Sequence, residues 1–276
     1  MKKPLLFLLL ITTLSLSSQN LVPNPGFDSI INCPVDGQIK YAPPWSFIHN
    51  LQDASSNIPS MLFNACVPPP GQGVPVSGFG AYQPARSGNG YARVVTYGSY
   101  GWPDNSVRDD IQAPLLESMR KNQSYYIQFY VSPTGLRGDS QYFFTDAVGL
   151  AFSESAIDSF RPMHSTPPAV RVAVENRGTL LKDTMNWIKI SGCYTAYGDE
   201  NYVIVGSFVS DQQTIYEDEN PQQVPDYATY FIEDIFVGLF DPLPDTVLIC
   251  DGEPKTLNVG FLDATYQWNT GETDST

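Results

Sequence analysis

Three aromatic residues in one glycine-containing stretch have the chemistry of a sugar-binding surface. Tyr97, Tyr100 and Trp102 alternate with glycines. Aromatic rings stack on the apolar C–H faces of sugars, and flanking polar groups fix the orientation of the ligand. Large rings among glycines are hard to bury completely, so we predict that at least one is exposed and that the three bind a ligand. The alternative is that they pack beneath the long segment 32–86.

Residues for nucleophilic catalysis are scarce. The chain has two histidines, His49 and His164, and a serine or cysteine nucleophile needs a base beside it. The Gly-Asp-Ser block at 138–140 resembles the nucleophile block of one lipase family, but Arg161 stands three residues before His164, where that family needs aspartate. Glycosidases need only two carboxylates, so that class stays open. We predict a protein that binds rather than catalyses.

The charge and the composition of the chain limit the classes of partner that it can bind. The chain carries 29 acidic and 15 basic residues, a net charge of -14. A nucleic acid needs a basic face, so we expect no nucleic-acid partner and no attraction to anionic membranes. Only 16% of residues are charged, while the chain holds 21 Gly and 23 Pro and is 13% aromatic. This composition is typical of an extracellular all-β protein.

The first 18 residues have the order of a secretory signal peptide. Lys2 and Lys3 precede the apolar run 5–16, and small residues and Gln19 follow. The run is shorter than the roughly 20 residues that span a bilayer, which disfavours a membrane anchor. We therefore expect a secreted or cell-surface protein with no membrane insertion after the signal is removed.

Four cysteines follow the signal segment. Disulfides persist outside the cytoplasm, and Cys33 and Cys66 lie in the same turn-rich region, so we predict that they pair. Cys193 falls inside a strand-like run, where a buried small side chain is expected. Cys250 lies beyond a proline-rich stretch.

Alternating and continuous apolar runs separated by turns predict strands rather than strand–helix repeats. Residues 114–121 give the one short helical pattern. We predict an all-β fold, an antiparallel sandwich or jelly roll. The predicted strands cover 89–97, 124–132, 146–153, 169–174, 186–192, 201–209, 230–237, 247–250 and 256–260.

Two prolines within 241–245 predict a stiff linker between domains. The organisation that we expect is a sandwich domain at 20–240 and the start of a second, incomplete Ig-like β domain at 246–276, because such a domain needs about 100 residues.

Several short motifs resemble the N-terminal galactose-binding-like jelly-roll module of Bacteroidetes surface proteins that end in a gliding-motility-associated C-terminal domain. An Asn-Pro-Gly-Phe-Asp opening at 24–28 and a Phe-Ile-Glu-Asp-Ile-Phe-Val close at 231–237 carry the resemblance. So do Ala85–Ala92 in the middle and the tail from Cys250 to Thr273, which is similar to Ig-like or PKD-like repeats. The resemblance implies export by the type IX route and a Cys250 that pairs with a later cysteine.

The resemblance also implies a structural Ca²⁺ between the opening and closing strands, with Asp28 and Asp234 at the carboxylate positions. The closing motif usually has two aspartates, and here Glu233 replaces the first. The alternative is that Asp28 caps a turn and Asp234 faces solvent.

The function predicted from the sequence is adhesion or recognition of an extracellular glycan or surface polymer. The alternatives are an accessory module or fragment of a secreted glycoside hydrolase or esterase, and a spacer that displays later modules.

Overall fold

In the residues that the computed structural model describes, twelve strands build two five-stranded antiparallel sheets and a two-stranded ribbon. Sheet I has the strand order β1-β4-β10-β7-β8, sheet II the order β2-β3-β12-β5-β9, and the ribbon joins β6 and β11. The strands are β1 Ser46–Ile48, β2 Met61–Asn64, β3 Gly90–Ser99, β4 Asp110–Pro114, β5 Ser124–Pro133, β6 Phe143–Thr145, β7 Val148–Ser153, β8 Arg171–Asn176, β9 Ile188–Thr195, β10 Tyr202–Gly206, β11 Tyr216–Asp218 and β12 Asp226–Leu239. Short 3₁₀ turns occur at Ile39–Tyr41 and Asp211–Gln213.

The structure describes residues 19–35, 38–48, 61–68, 71–77, 81–99, 108–134, 143–157, 170–218 and 226–240. The chain divides into two units, Asn20–Phe240 and a second one made of Met1–Gln19 and Asp241–Thr276. Of the second unit only Gln19 is described, so the predicted signal peptide, linker and Ig-like domain lie outside the described residues. Within the described ranges, no helix is long and apolar enough to cross a membrane.

The main core lies between the two sheets, because alternate residues of each strand point inward. On β5, Ile127, Phe129 and Val131 are fully buried in this core, and Ile232 on β12 joins them. The chain passes repeatedly from one sheet to the other, as in a jelly roll. The predicted all-β antiparallel sandwich is therefore confirmed.

The outer face of sheet II carries a second apolar cluster. Phe63, Tyr91 and Phe231 pack there, alternating along their strands with residues of the main core. The segment 81–85 is held over this cluster, because the Tyr91 hydroxyl donates to the carbonyl of Gln83 at 2.9 Å. This part of the sheet is consequently closed to large ligands.

The outer face of sheet I is covered in a similar way. Ala151, Ile204 and Phe208 form an apolar cluster against which Ile157 packs. The side-chain amide of Gln112 donates to the Ile157 carbonyl at 3.1 Å and accepts from its N–H at 2.9 Å. A two-bond clamp therefore fixes the covering segment.

The helix predicted at 114–121 is wrong. Pro114 ends β4, and the following N–H groups bond to distant carbonyls instead of to residues one turn earlier. Leu115 donates to Asn201 and Leu116 donates to Leu21. Tertiary partners thus override a helical pattern only eight residues long, for which an isolated helix is marginal.

The Cys33–Cys66 disulfide is present, with the Cα atoms 5.9 Å apart. The expectation that Cys193 is buried is wrong, because β9 is the edge strand of sheet II and Cys193 lies on its exposed side. Its neighbours on the inward side, such as Ile190, occupy the core instead.

Replacing Cys33 and Cys66 together with serine is expected to lower the free energy of unfolding by about 2–4 kcal/mol. The bond spans a sequence separation of 33 and restricts the unfolded chain. Urea denaturation of the full chain measures the loss, and dithiothreitol should reproduce it in the wild type. An unchanged urea midpoint would contradict the expectation.

Candidate functional site

Three aromatic rings from separate strands form a near-parallel group at the ribbon, which we call the aromatic platform. It consists of Tyr97 on β3, Phe143 on β6 and Tyr216 on β11. The ring centroids of Tyr97 and Phe143 lie 5.1 Å apart with an interplanar angle of 8°. Tyr216 lies 4.8 Å from Phe143 and 5.1 Å from Tyr97. Tyr216 is 51% exposed, so the platform presents an aromatic surface to solvent.

A bulge in β3 sets the position of Tyr97. Val95 pairs with Thr229 and Tyr97 pairs with Ala228, so β3 has one extra residue at this point. Bulges redirect side chains. The Tyr97 ring is half-buried against the edge of the main core.

Burial, helped by the neighbouring Tyr216 and Asp211 and opposed by Arg108, raises the pKa of Tyr97 to about 12. The Tyr97 hydroxyl therefore stays protonated at neutral pH and remains a hydrogen-bond donor.

Buried polar contacts hold the ribbon in place. The Tyr230 hydroxyl accepts from the Thr145 N–H at 2.8 Å and donates to the Thr145 carbonyl at 3.1 Å. The Asp146 carboxylate accepts from the N–H groups of Ile215 at 2.9 Å and Gly178 at 2.8 Å. Asp146 therefore fixes the residue next to Tyr216.

Charged groups border the platform. Arg108 is almost fully buried, donates from Nε to the Thr96 carbonyl at 3.1 Å, and pairs with the half-exposed Asp211. On the other side of the ribbon, Lys182 pairs with Glu217 at 2.5 Å. Both cations are engaged by acids, so the surroundings of the platform are not strongly basic.

Of the predicted ligand-binding residues, Tyr97 belongs to the platform, whereas Tyr100 and Trp102 lie outside the described residues. Sequence reasoning missed Phe143 and Tyr216. Both lie on three-residue strands far from Tyr97 in the chain. No local signal joins them, because only the strand pairing of β6 with β11 does so.

A second cluster of chemical groups lies where the opening segment meets β12. The Leu21 N–H donates to the Val237 carbonyl at 2.8 Å, and the Ile235 N–H donates to the Pro25 carbonyl at 3.1 Å. Between Glu233 and Phe236 the register of β12 with β5 shifts, and Asp234 has a φ of 50°. This irregularity turns the Ile235 N–H away from the sheet ladder and toward the opening segment.

The irregularity brings three acidic side chains to the loop 86–89. These side chains belong to Asp28, Glu233 and Asp234, and we call them the closure carboxylates. Glu233 accepts from the Arg86 N–H at 2.7 Å and the Ser87 N–H at 2.6 Å. Asp234 accepts from the Ser87 hydroxyl at 2.7 Å. Asp28 accepts from the Asn89 N–H at 2.6 Å. The loop thus binds all three acids.

Glycines make room for these acids. A Cβ on Gly88, whose φ is 59°, would lie 2.0 Å from Oδ2 of Asp28, so a larger residue there would be strained and would displace the Asp28 carboxylate. The pKa of Glu233 is raised to about 7, mainly by burial and also by Asp234, against the lowering effect of the N–H groups of Arg86 and Ser87.

The predicted metal-binding residues do lie together. The Cβ position of Gly26 is 3.2 Å from Oδ2 of Asp28, 3.4 Å from Oδ1 of Asp234 and 3.6 Å from the Ser87 hydroxyl. Carboxylate oxygens are ligands that Ca²⁺ prefers, but the part of the chain that the structure describes holds no group of three or more His, Cys, Asp or Glu side chains that could bind a metal ion. Binding of Ca²⁺ itself is not tested by this geometry and stays a prediction.

No family model matches the chain, and no curated protein sequence matches it. Solved structures, in contrast, do match the chain. The CBM22-1–GH10 modules of Clostridium thermocellum endo-1,4-β-D-xylanase 10B, complexed with xylohexaose, match 81% of this chain at 11% identity and a TM-score of 0.36. This chain covers 29% of that protein.

Two further similar structures are matched over nearly their full length. The K1 cleaved adhesin domain of Lys-gingipain from Porphyromonas gingivalis shares 13% identity with a TM-score of 0.36, with 77% of this chain and 94% of that one covered. A putative sugar binding protein from Bacteroides thetaiotaomicron shares 9% identity with a TM-score of 0.38, with 80% and 100% covered. At these identities the likeness concerns the fold alone.

Proposed function

We propose that this chain is a non-catalytic binding module that holds an extracellular polysaccharide on the aromatic platform. The observation that carries the proposal is the near-parallel arrangement of Tyr97, Phe143 and Tyr216 with Tyr216 half exposed. The exposed part of the Tyr216 ring offers an apolar surface for the C–H face of a sugar. The hydrogen bond between the Tyr97 and Tyr216 hydroxyls fixes the two rings relative to each other.

The net charge favours an uncharged polysaccharide. At -14 the chain repels polyanions, and both Arg108 beside the platform and Lys182 on the other side of the ribbon are paired with acids. A uronate-rich or sulfated chain would find no strongly basic surface there. Neutral chains such as xylan or a β-glucan fit better.

The covered outer faces support this location. Segment 81–85 closes part of sheet II, and the Gln112–Ile157 clamp fixes a cover over sheet I. An extended ligand is therefore better accommodated at the ribbon than across these parts of the sheets.

We also propose that the module works outside the cytoplasm. Disulfides such as Cys33–Cys66 persist in oxidising compartments, and the first 18 residues have the pattern of a signal peptide. The module would serve adhesion or polymer capture at the cell surface, as the resemblance to gliding-motility-associated surface proteins implies.

A glycan array probed with the full chain tests the proposal, beside a panel of glycosidase and esterase substrates. Binding to neutral polysaccharides without turnover is the expected result. Turnover that a single carboxylate substitution abolishes would replace the binding function with the hydrolase alternative. Binding to no glycan, with normal folding, would favour the spacer alternative.

We also propose that Asp28 and Asp234 hold a structural Ca²⁺, which would supply positive charge where the opening segment meets β12. A ligand that binds only the folded state stabilises it. CaCl₂ is therefore expected to raise the melting temperature of the EDTA-treated chain, and Asp234→Asn should remove the increase. Equal melting temperatures of the wild type in EDTA and in CaCl₂ would eliminate the site.

A further inference from the structure

A buried arginine holds an acid beside the aromatic platform. Arg108 is 6% exposed, and its Nε donates at 3.1 Å to the carbonyl of Thr96, which directly precedes Tyr97 in the chain. Another nitrogen of the same guanidinium, Nη2, donates to Oδ1 of Asp211 at 2.5 Å. Because both contacts belong to one planar group, Arg108 fixes the Asp211 carboxylate close to the backbone that carries the Tyr97 ring.

The 3₁₀ turn that carries Asp211 leads directly into the platform. The Thr214 hydroxyl donates to the Ser210 carbonyl at 3.0 Å. The Thr214 N–H donates to the carbonyls of Ser210 at 3.0 Å and Asp211 at 3.3 Å. Thr214 precedes Tyr216 by two residues, so one short and well-bonded segment positions both the acid and the exposed ring.

The Asp211 carboxylate can accept further hydrogen bonds. Its side chain is 32% exposed, and Arg108 uses Oδ1, whereas Oδ2 has no hydrogen-bond partner within the described ranges. An ionised carboxylate has about four acceptor positions. Burial is the main cause of the raised pKa of Tyr97 and the charge of Asp211 adds to it, so this charge lies near the Tyr97 ring. Asp211 is therefore an acceptor beside the apolar surface.

We propose that Asp211 determines the sugar specificity of the platform by accepting hydrogen bonds from two adjacent hydroxyl groups of a neutral sugar that stacks on Tyr216. Hydroxyls radiate from the edge of a stacked sugar ring, and hydrogen bonds to an ionised acceptor are roughly twice as strong as those between neutral groups. A uronate would instead bring a second carboxylate to Asp211, and like charges repel each other. The inference rests on the proposed function of the platform.

Titration calorimetry of the full chain with the neutral glycan that binds best on the array tests the proposal, with xylohexaose and cellohexaose as the first probes. Asp211→Asn retains the shape of the side chain and an acceptor for Arg108 but removes the charge. Its affinity for the neutral glycan is expected to fall at least about fivefold. Cellohexaose oxidised to the uronate at C6 should not lose affinity in this variant, so the preference for the neutral glycan should decrease.

Glu217→Gln is the matched control. Glu217 is 45% exposed and pairs with Lys182, and it follows Tyr216 on β11, so its side chain lies on the opposite face of the ribbon. This variant removes the same charge from the same ribbon. Its affinity for the neutral glycan should remain that of the wild type.

Three results would overturn the inference alone. The first is wild-type affinity for the neutral glycan in Asp211→Asn. The second is an equal loss in Glu217→Gln, because the position of the charge would then not matter. The third is an equal loss for the neutral and the oxidised glycan in Asp211→Asn, which would indicate a structural role. A wild type that binds no neutral glycan on the array would instead remove the proposed function, and this inference with it.

If Asp211→Asn does not fold, the wild type provides the test. In the ¹³C NMR spectrum of the full chain, the side-chain carboxyl signal of Asp211 should shift when the neutral glycan is added. The carboxyl signal of Glu217 should stay in place. An Asp211 signal that does not move at saturating glycan would also overturn the inference.

Discussion

Replacing Tyr216 with alanine is expected to weaken binding to the best polysaccharide on the array at least about tenfold, or about 1.4 kcal/mol. Tyr216 contacts both other rings of the platform and is 51% exposed, whereas Phe143 is 7% exposed. Tyr216 therefore supplies much of the surface that a sugar would touch. Titration calorimetry of the full chain with the identified polysaccharide measures the loss.

Two further variants distinguish a role of Tyr216 in binding from a general effect of removing an aromatic ring. Tyr82 is 54% exposed and lies elsewhere in the molecule, next to Val76, so Tyr82→Ala removes a similar ring and should leave the affinity unchanged. Tyr216→Phe keeps the ring and loses the hydroxyl that bonds to Tyr97, so a smaller loss is expected. Wild-type affinity in Tyr216→Ala, with the melting temperature maintained, would refute the platform as the binding site.

Long strands were predictable from the sequence. β5 and β12 span ten or more positions and are rich in β-branched and aromatic residues, so their pattern is visible without tertiary information. Of the strands of three to five residues, β10 lies within the predicted strand 201–209, whereas others such as β1, β4 and β6 were missed. Such strands show too few alternations to reveal a period, and they depend on the pairing supplied by their neighbours.

The two candidate sites differ in how much of each could be predicted from the sequence. Asp28 and Asp234 lie in motifs at the two ends of the domain, so closing the sandwich with these ends was sufficient to bring them together. The platform needed the β3 bulge and the β6–β11 ribbon, neither of which has a local signal. Arg86 was part of a recognised motif, but only the loop geometry shows its pairing with Asp234.

A buried acid beside the platform links the stability of the fold to the site. Asp146 is 0% exposed and accepts from the N–H groups of Ile215 and Gly178, with Arg177 at 3.4 Å. Asp146→Ala leaves these donors without their acceptor. Removing one partner of a buried ionic contact costs about 3–5 kcal/mol. Because Arg177 is partly exposed and can be solvated, we expect a loss near 3 kcal/mol, measured by urea denaturation.

The same substitution should weaken glycan binding, because Ile215 directly precedes Tyr216 and loses its anchor. Asp146→Asn retains the shape and one acceptor oxygen, so its loss of stability and affinity should be intermediate. Asp199→Ala removes a solvent-exposed acid paired with Arg171 and serves as the control, with a much smaller effect on stability. If Asp146→Ala unfolds at the wild-type urea concentration, the carboxylate does not hold the ribbon. If it is destabilised but binds glycan normally, the position of Tyr216 does not depend on this anchor.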